Sequence, residues 1–229
     1  MNKKKLLLTA LALVLVCTVV VAGALAFLKD TSSEAKNTFI AAGGGRLVEE
    51  STNETVDPSD PYNPTADNGF NIVEHAVETD EVGNYTLGDV FSNGNVYEVL
   101  PGAKLPKDPK VYIKGKTSVP SYLYIEVVDG LANSGLIYSI ADCWVDTGLT
   151  IDGNKVYVYS ADGAPVIVTS DLTVSILTDD QITVPEDEKD IILSDDGLSF
   201  EFYGFLAQAS AGETAADVFA ACFTVDAAE

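Results

Sequence analysis

Few residues of this 229-residue chain have types and spacings that support catalysis. His75 is the only histidine, and Glu78 three positions later adds a second type of metal ligand without further partners. The sequence contains no Gly-x-Ser-x-Gly elbow, phosphate-binding loop or dinucleotide-binding fingerprint. Glycosidases need two carboxylates at a defined separation, which the spacing of 35 acidic residues does not reveal. We therefore predict no catalytic residue, no metal site and no cofactor.

Two weaker signals leave binding and redox questions open. The stretch from Asp57 to Asn68 offers oxygen ligands of the kind that Ca²⁺ prefers, but it does not match EF-hand spacing, and a hydrated acidic loop explains it equally. Cys143 and Cys222 could form one disulfide outside the cell, or they could be small buried apolar side chains. The sequence does not decide between these alternatives.

A run of lysines stands out in this acidic chain. Five of them lie close together, at Lys104, Lys107, Lys110, Lys114 and Lys116. Lysines along a solvated strand edge would discourage stray pairing with other chains. Alternatively, they would form a cationic patch that docks on the acidic surface of a neighbouring subunit. On the second interpretation, we predict Lys104, Lys107, Lys110 and Lys114 as assembly contacts.

The overall charge excludes one class of partner. The chain has 13 basic and 35 acidic residues, and its net charge is −22. Three of the basic residues, at positions 3–5, lie in a segment that we expect to be removed, which leaves 10 basic residues and a net charge of −25. A field of this sign repels phosphate backbones, so we expect no nucleic-acid partner. Subunits of an assembly would need close geometric contacts to overcome their mutual repulsion.

The N-terminus has the pattern of a secretory signal peptide. A basic start precedes an uncharged apolar stretch that ends at Ala24-Leu25-Ala26, a small-x-small cleavage pattern. We predict a signal helix over residues 1–26, with Ala24, Ala26 and Phe27 marking the cleavage site. The alternative is an uncleaved anchor, in which case the protein contacts the membrane only through this segment. Either way we expect an extracellular location.

The remaining chain divides into three parts: a segment 27–48, an acidic proline-rich loop 49–69, and a domain 70–229. The domain contains short segments of β-branched and aromatic residues, separated by Asp-Gly turns that tolerate positive φ angles. In the clearest segment, Leu123, Ile125 and Val127 fall on one face. The other segments are 155–159, 165–169, 172–177 and 198–206. This pattern predicts an all-β, jelly-roll-like antiparallel β-sandwich.

A short helix is predicted near the C-terminus. Thr214 and Asp217 have the spacing of a capping box, and the residues from Ala215 to Phe223 favour a helix.

Three stretches carry recognisable patterns. Residues 23–31 read Gly-Ala-Leu-Ala-Phe-Leu-Lys-Asp-Thr, followed at 36–39 by Lys-Asn-Thr-Phe. Residues 100–109 read Leu-Pro-Gly-Ala-Lys-Leu-Pro-Lys-Asp-Pro, and a strand pattern follows at 122–128. Residues 203–209 read Tyr-Gly-Phe-Leu-Ala-Gln-Ala. Together they resemble the TasA/camelysin family of exported proteins, which a SipW-type signal peptidase processes.

The resemblance implies a jelly-roll fold and a secreted structural function, as a TasA-like fibre or biofilm-matrix subunit. Its partners would be the SipW-type signal peptidase and further copies of itself in a homo-oligomer or fibre. In such fibres the segment exposed by signal removal adds as a strand to the next subunit. Here the donor would be residues 27–40, with Phe27, Leu28, Phe39 and Ile40 as anchors. We expect its deletion to leave a folded monomer that forms no filaments.

Two alternatives follow from the same sequence. The sandwich could serve as a secreted or cell-surface binding module that does not polymerise. Camelysin-like members have also been described as metalloproteases, but this chain has no zinc-binding motif, so we do not transfer that activity.

Overall fold

A computed structural model of the chain describes residues 29–31, 35–41, 69–79, 84–92, 94–114, 119–187, 189, 191–193, 198–209 and 211–226. The predicted signal helix and nearly all of the acidic loop lie outside these residues. The described residues form fifteen strands and one α-helix. Their bounds are β1 (Lys29–Thr31), β2 (Ala35–Ala41), β3 (Gly69–Thr79), β4 (Tyr85–Ser92), β5 (Val96–Val99), β6 (Lys104–Pro106), β7 (Lys110–Lys114), β8 (Ser121–Asp129), β9 (Trp144–Ile151), β10 (Asn154–Ala161), β11 (Ala164–Pro165), β12 (Ile167–Val168), β13 (Leu172–Ser175), β14 (Gln181–Thr183), β15 (Leu198–Gln208) and α1 (Ala215–Cys222).

The strands form a large sheet, a four-stranded sheet and a two-stranded pair. The large sheet has the order β11-β10-β8-β15-β2-β5, with β9 also on β10, β12 on β8, and β1 on β15. The smaller sheet has the order β13-β7-β3-β4, and β14 pairs with β6. All of these pairs are antiparallel except β2 with β5. The expected all-β antiparallel sandwich with one short C-terminal helix is confirmed.

Asp-Gly turns set the register of the hairpins. Asp152 and Gly153 both have positive φ angles, 50° and 83°, and they join β9 to β10. Asp162 and Gly163, with φ angles of 51° and 77°, join β10 to β11. Glycine adopts this region without steric cost and aspartate tolerates it, which is why the turn positions could be predicted from sequence.

The main core lies on one face of the large sheet. The predicted apolar face of β8, formed by Leu123, Ile125 and Val127, is buried there with Phe200 and Phe202 of β15. The smaller sheet contributes several apolar side chains to the same core, and these are Phe70, Ile72, Val111 and Ile113.

The other face of the large sheet is also buried. Tyr124 of β8 and Phe205 of β15 pack against Val218 and Phe219 of α1. The predicted capping box is present, because the Thr214 hydroxyl accepts a hydrogen bond from the Asp217 backbone N–H and the Asp217 carboxylate accepts one from the Thr214 backbone N–H. The sequence pattern predicted only one buried face for β8. The helix buries part of the second face, which explains the large aromatic side chains of Tyr124 and Phe205 there.

Candidate functional site

Two regions of the fold contain the residues that the sequence singled out. The predicted cleavage residues Ala24, Ala26 and Phe27, together with Leu28, lie outside the described residues. Phe39 and Ile40 lie on β2, where the backbone pairing is described. Lys104, Lys107, Lys110 and Lys114 lie on or beside β6 and β7, whereas Lys116 lies outside the described residues.

The N-terminal strands complete the large sheet of their own subunit. In the register of β2 with β15, Phe39 lies opposite Leu198 and Ala35 opposite Phe202. On its other side β2 runs parallel to β5, with Phe39 opposite Tyr97. β1 continues along β15 beyond β2, as Asp30 pairs with Leu206. β2, which contains the described C-terminal part of the candidate donor segment, is therefore held between two strands of the same chain.

The predicted cationic patch needs one correction. Lys107 has no exposed side-chain surface and forms an ion pair with Glu74. It cannot be a surface docking contact, because its charge faces the protein interior. Lys104 is exposed, whereas Lys114 is half-buried. Lys110 is also half-buried, and its Nζ lies 3.3 Å from Oδ2 of both Asp108 and Asp180.

The buried polar cluster, as we call it, consists of Glu74, His75, Asn95, Lys107 and Asp108. Lys107 follows β6, and its Nζ donates to Oε2 of Glu74, a residue of β3. Both side chains are fully buried. The Lys107 ammonium also lies 5.6 Å from the centre of the Phe202 ring, which places one edge of the cluster against the main core.

Asn95 completes the contacts of Glu74. Its Nδ2 donates to Oε1 of Glu74 and to the backbone oxygen of His75, each at 2.9 Å. Its Oδ1 accepts a hydrogen bond of 2.9 Å from the backbone N–H of Val77. The β3–β4 pairing changes register between His75 and Val77, and this irregularity turns one backbone carbonyl and one backbone N–H towards the Asn95 amide.

Asp108 binds the outer part of the cluster. One of its carboxylate oxygens accepts the His75 backbone N–H at 3.0 Å, and the other lies 2.7 Å from His75 Nδ1. The His75 ring also stacks on Phe91, with 4.6 Å between the ring centres. The histidine and the buried aspartate thus form a dyad at the border between the cluster and solvent.

Burial moves both members of the central ion pair towards their neutral forms. Desolvation raises the pKa of Glu74, opposed by the charge of Lys107. Desolvation likewise lowers the pKa of Lys107, opposed by the charge of Glu74. Because the carboxyl and the amine are in direct contact, a proton can pass between them without crossing solvent.

The cluster provides a buried carboxyl that contacts both an amine and a carboxamide, and it does not offer a metal-binding set. Among the described residues, no group of three or more histidine, cysteine, aspartate or glutamate side chains could hold a metal ion. Within the same part of the chain, no helix is long and apolar enough to cross a membrane.

The two cysteines do not form a disulfide. Cys143 and Cys222 both remain thiols, and both are partly buried. Cys143 packs against the main core, whereas Cys222 packs against the core beneath α1, on the other face of the large sheet.

Sequence reasoning singled out Lys107 but placed it on the surface, and it missed Glu74, Asn95 and Asp108. A lysine in an acidic chain reads as a surface charge, since an isolated lysine is almost never buried. The available signal was Glu74 itself, because it is an acidic residue within the apolar run Phe70 to Val77. A charge in such a run needs a buried partner.

Comparisons of the chain with protein-family models, with curated proteins and with solved structures gave no match.

Proposed function

We propose that this protein is an exported structural subunit that assembles into a TasA-like fibre by exchanging its N-terminal strand between copies. The observation that supports the proposal most directly is the position of β2 between β15 and β5. A strand in this position forms two rows of backbone hydrogen bonds, one with each neighbour.

Exchange of this strand would cost little free energy once two subunits meet. If β2 leaves its site, β15 and β5 are left with unpaired backbone groups facing a gap one strand wide. The same segment of another copy restores the same contacts, which is the basis of domain swapping and strand addition. The sequence that connects β2 to β3 spans residues 42–68 and contains three consecutive glycines at 43–45, which suits a hinge.

The sharpest test locks β2 into its own subunit. The register places Thr38 opposite Ser199 of β15, so the double substitution Thr38→Cys and Ser199→Cys should form a disulfide within the monomer. The protein would begin at Phe27 and carry serine at positions 143 and 222. We expect the oxidised protein to remain monomeric and the reduced protein to form filaments, measured by size-exclusion chromatography and negative-stain electron microscopy.

A matched crosslink controls for the chemistry. Thr150 and Lys155 are opposite each other in the β9–β10 hairpin, so cysteines there should form a disulfide that leaves β2 unaffected. Filaments from this control in both redox states would support the proposal. Filaments from the oxidised Thr38–Ser199 variant would refute strand exchange. Monomers under every condition would favour the non-polymerising binding module.

Deletion of residues 27–40 is a less specific test than the sequence suggested. The deletion also removes most of β2 and all of β1 from the subunit's own sheet. The truncated protein should still accept a peptide with the sequence of residues 27–41, and titration with a fluorescent form of that peptide would detect the open site.

A further inference from the structure

We propose that the side chains of Lys107 and Asn95 become joined by an amide bond inside the folded protein, in a reaction that Glu74 promotes. The bond would connect Nζ of Lys107 to Cγ of Asn95 and release ammonia. This inference stands apart from the proposed function, since it rests only on the buried polar cluster within one subunit.

The carboxyl of Glu74 contacts both groups that would exchange protons. Its Oε2 accepts from Nζ of Lys107, the atom that would attack. Its Oε1 accepts from Nδ2 of Asn95 at 2.9 Å, and Nδ2 is the atom that would leave. One carboxyl group can therefore take a proton from the nucleophile and give one to the leaving group, which is the role of a general acid–base.

Hydrogen bonds fix the orientation of the Asn95 carboxamide. The Val77 backbone N–H can only donate and the His75 backbone oxygen can only accept, so their contacts with Asn95 fix which side-chain atom is oxygen and which is nitrogen. Oδ1 therefore faces the Val77 N–H at 2.9 Å. A backbone donor at this position stabilises the negative charge that develops on the oxygen during attack.

The surroundings favour the reactive protonation states. Lys107 and Glu74 have no exposed side-chain surface, and Asn95 is only 6% exposed. Burial lowers the pKa of Lys107 and raises that of Glu74, which favours a neutral amine and a protonated acid. The exclusion of water also limits competing hydrolysis of the carboxamide.

The step balances within these three side chains. The neutral Lys107 amine attacks Cγ of Asn95, a new carbon–nitrogen bond forms, and the carbonyl electron pair moves to Oδ1. Glu74 gives its proton to Nδ2 and recovers one from Nζ. The carbonyl then reforms, the bond from Cγ to Nδ2 breaks, and ammonia leaves. No oxidant, metal or cofactor takes part.

The resulting bond would connect two separate parts of the fold. Asn95 immediately precedes β5, and Lys107 lies between β6 and β7. β5 is the last strand in the order of the large sheet, and it pairs there with β2. A covalent connection at Asn95 would therefore hold the start of β5 when β2 is absent.

Peptide mapping of the purified wild-type protein tests the proposal directly. After denaturation, trypsin releases residues 47–104, 105–107 and 108–110 as separate peptides if Lys107 is unmodified. We expect instead a single species in which 105–110 is attached to 47–104, lighter than the sum of the two peptides by one ammonia. Fragmentation should locate the junction at Asn95 and Lys107.

Variants assign the roles, and the Lys104→Arg variant is the control because it keeps the tryptic site and because Lys104 is exposed and lies outside the cluster. Its peptide map should retain the crosslink. Lys107→Met and Asn95→Ala should abolish the crosslink, and Glu74→Gln should abolish or greatly slow it in protein whose circular dichroism remains that of a β-sandwich. Asn95→Asp should crosslink with the loss of water in place of ammonia.

Three results would overturn the proposal. Separate peptides of unmodified mass from the folded wild-type protein would show that the cluster is an ion pair and nothing more. An ammonia loss confined to the 47–104 peptide would indicate a succinimide at an asparagine. A crosslink to Glu74 with the loss of water would show that Lys107 attacks Glu74 and not Asn95.

Discussion

Gly130 lies directly against the main chain of Ser199, so that a Cβ placed on Gly130 would be 2.3 Å from the Ser199 carbonyl oxygen. The contact lies where β8 and β15 pair, beside the register position at which Asp129 faces Phe200. Because Gly130 directly follows β8 and Ser199 belongs to β15, neither main chain can move aside without shifting the sheet.

We therefore expect Gly130→Ala to destabilise the fold. Overpacking of this kind costs about 1–3 kcal/mol in the free energy of unfolding, and urea denaturation followed by tryptophan fluorescence would measure it. Gly88→Ala is the matched control, since its close contact is mainly with the flexible and exposed side chain of Glu78. Equal losses in the two variants would contradict the backbone explanation.

The cap of α1 should contribute measurably to stability. Thr214→Ala removes the side-chain oxygen that accepts the Asp217 N–H at 3.2 Å, and the loss of such a cap costs about 1 kcal/mol. The helix covers one face of the large sheet, so the loss should appear in global unfolding and not only in local fraying. Thr224→Ala, at an exposed position after the helix, should have little effect in the same denaturation experiment.

Asp226 should make stability depend on pH in the acid range. Its carboxylate accepts the backbone N–H groups of Gly153 at 2.8 Å and Asp152 at 3.1 Å, and these bonds hold its pKa below the usual value. A depressed carboxyl pKa stabilises the folded state above the unfolded-state pKa, and the contribution disappears as the pH falls through the folded-state pKa.

Asp226→Asn should therefore flatten the acid limb of the stability profile. Thermal unfolding followed by circular dichroism between about pH 5 and about pH 2 would compare the two proteins. The midpoint of the wild type should fall more steeply than that of the variant. Parallel curves would mean that the turn contact does not form in solution.

If the exposed Lys104 contributes to assembly, reversal of its charge should slow filament formation. Lys104→Glu should lengthen the lag of assembly at low salt, and the difference should shrink as the salt concentration rises, because exposed charges are screened. Lys155→Glu makes the same change in net charge on β10 and serves as the control. Light scattering would follow both. An equal effect of the two substitutions would point to net charge and not to a docking contact.

The sequence by itself determined the local features of this protein. Alternating apolar residues predicted β8, Asp152-Gly153 predicted a hairpin turn, and Thr214 with Asp217 predicted the start of α1. Each of these depends on interactions between residues that are close in the chain, so the pattern of residue types contains the necessary information.

Only the tertiary structure decided the environment of Lys107 and the position of β2. Lys107 and its partner Glu74 are 33 residues apart, and β2 pairs with a strand more than half the chain away. A lysine near other lysines in the sequence predicts a surface position, because burial of an unpaired charge costs a large free energy. Only a partner of opposite charge that is close in space offsets this cost. Folding supplies that partner, and the spacing of residue types along the chain does not record it.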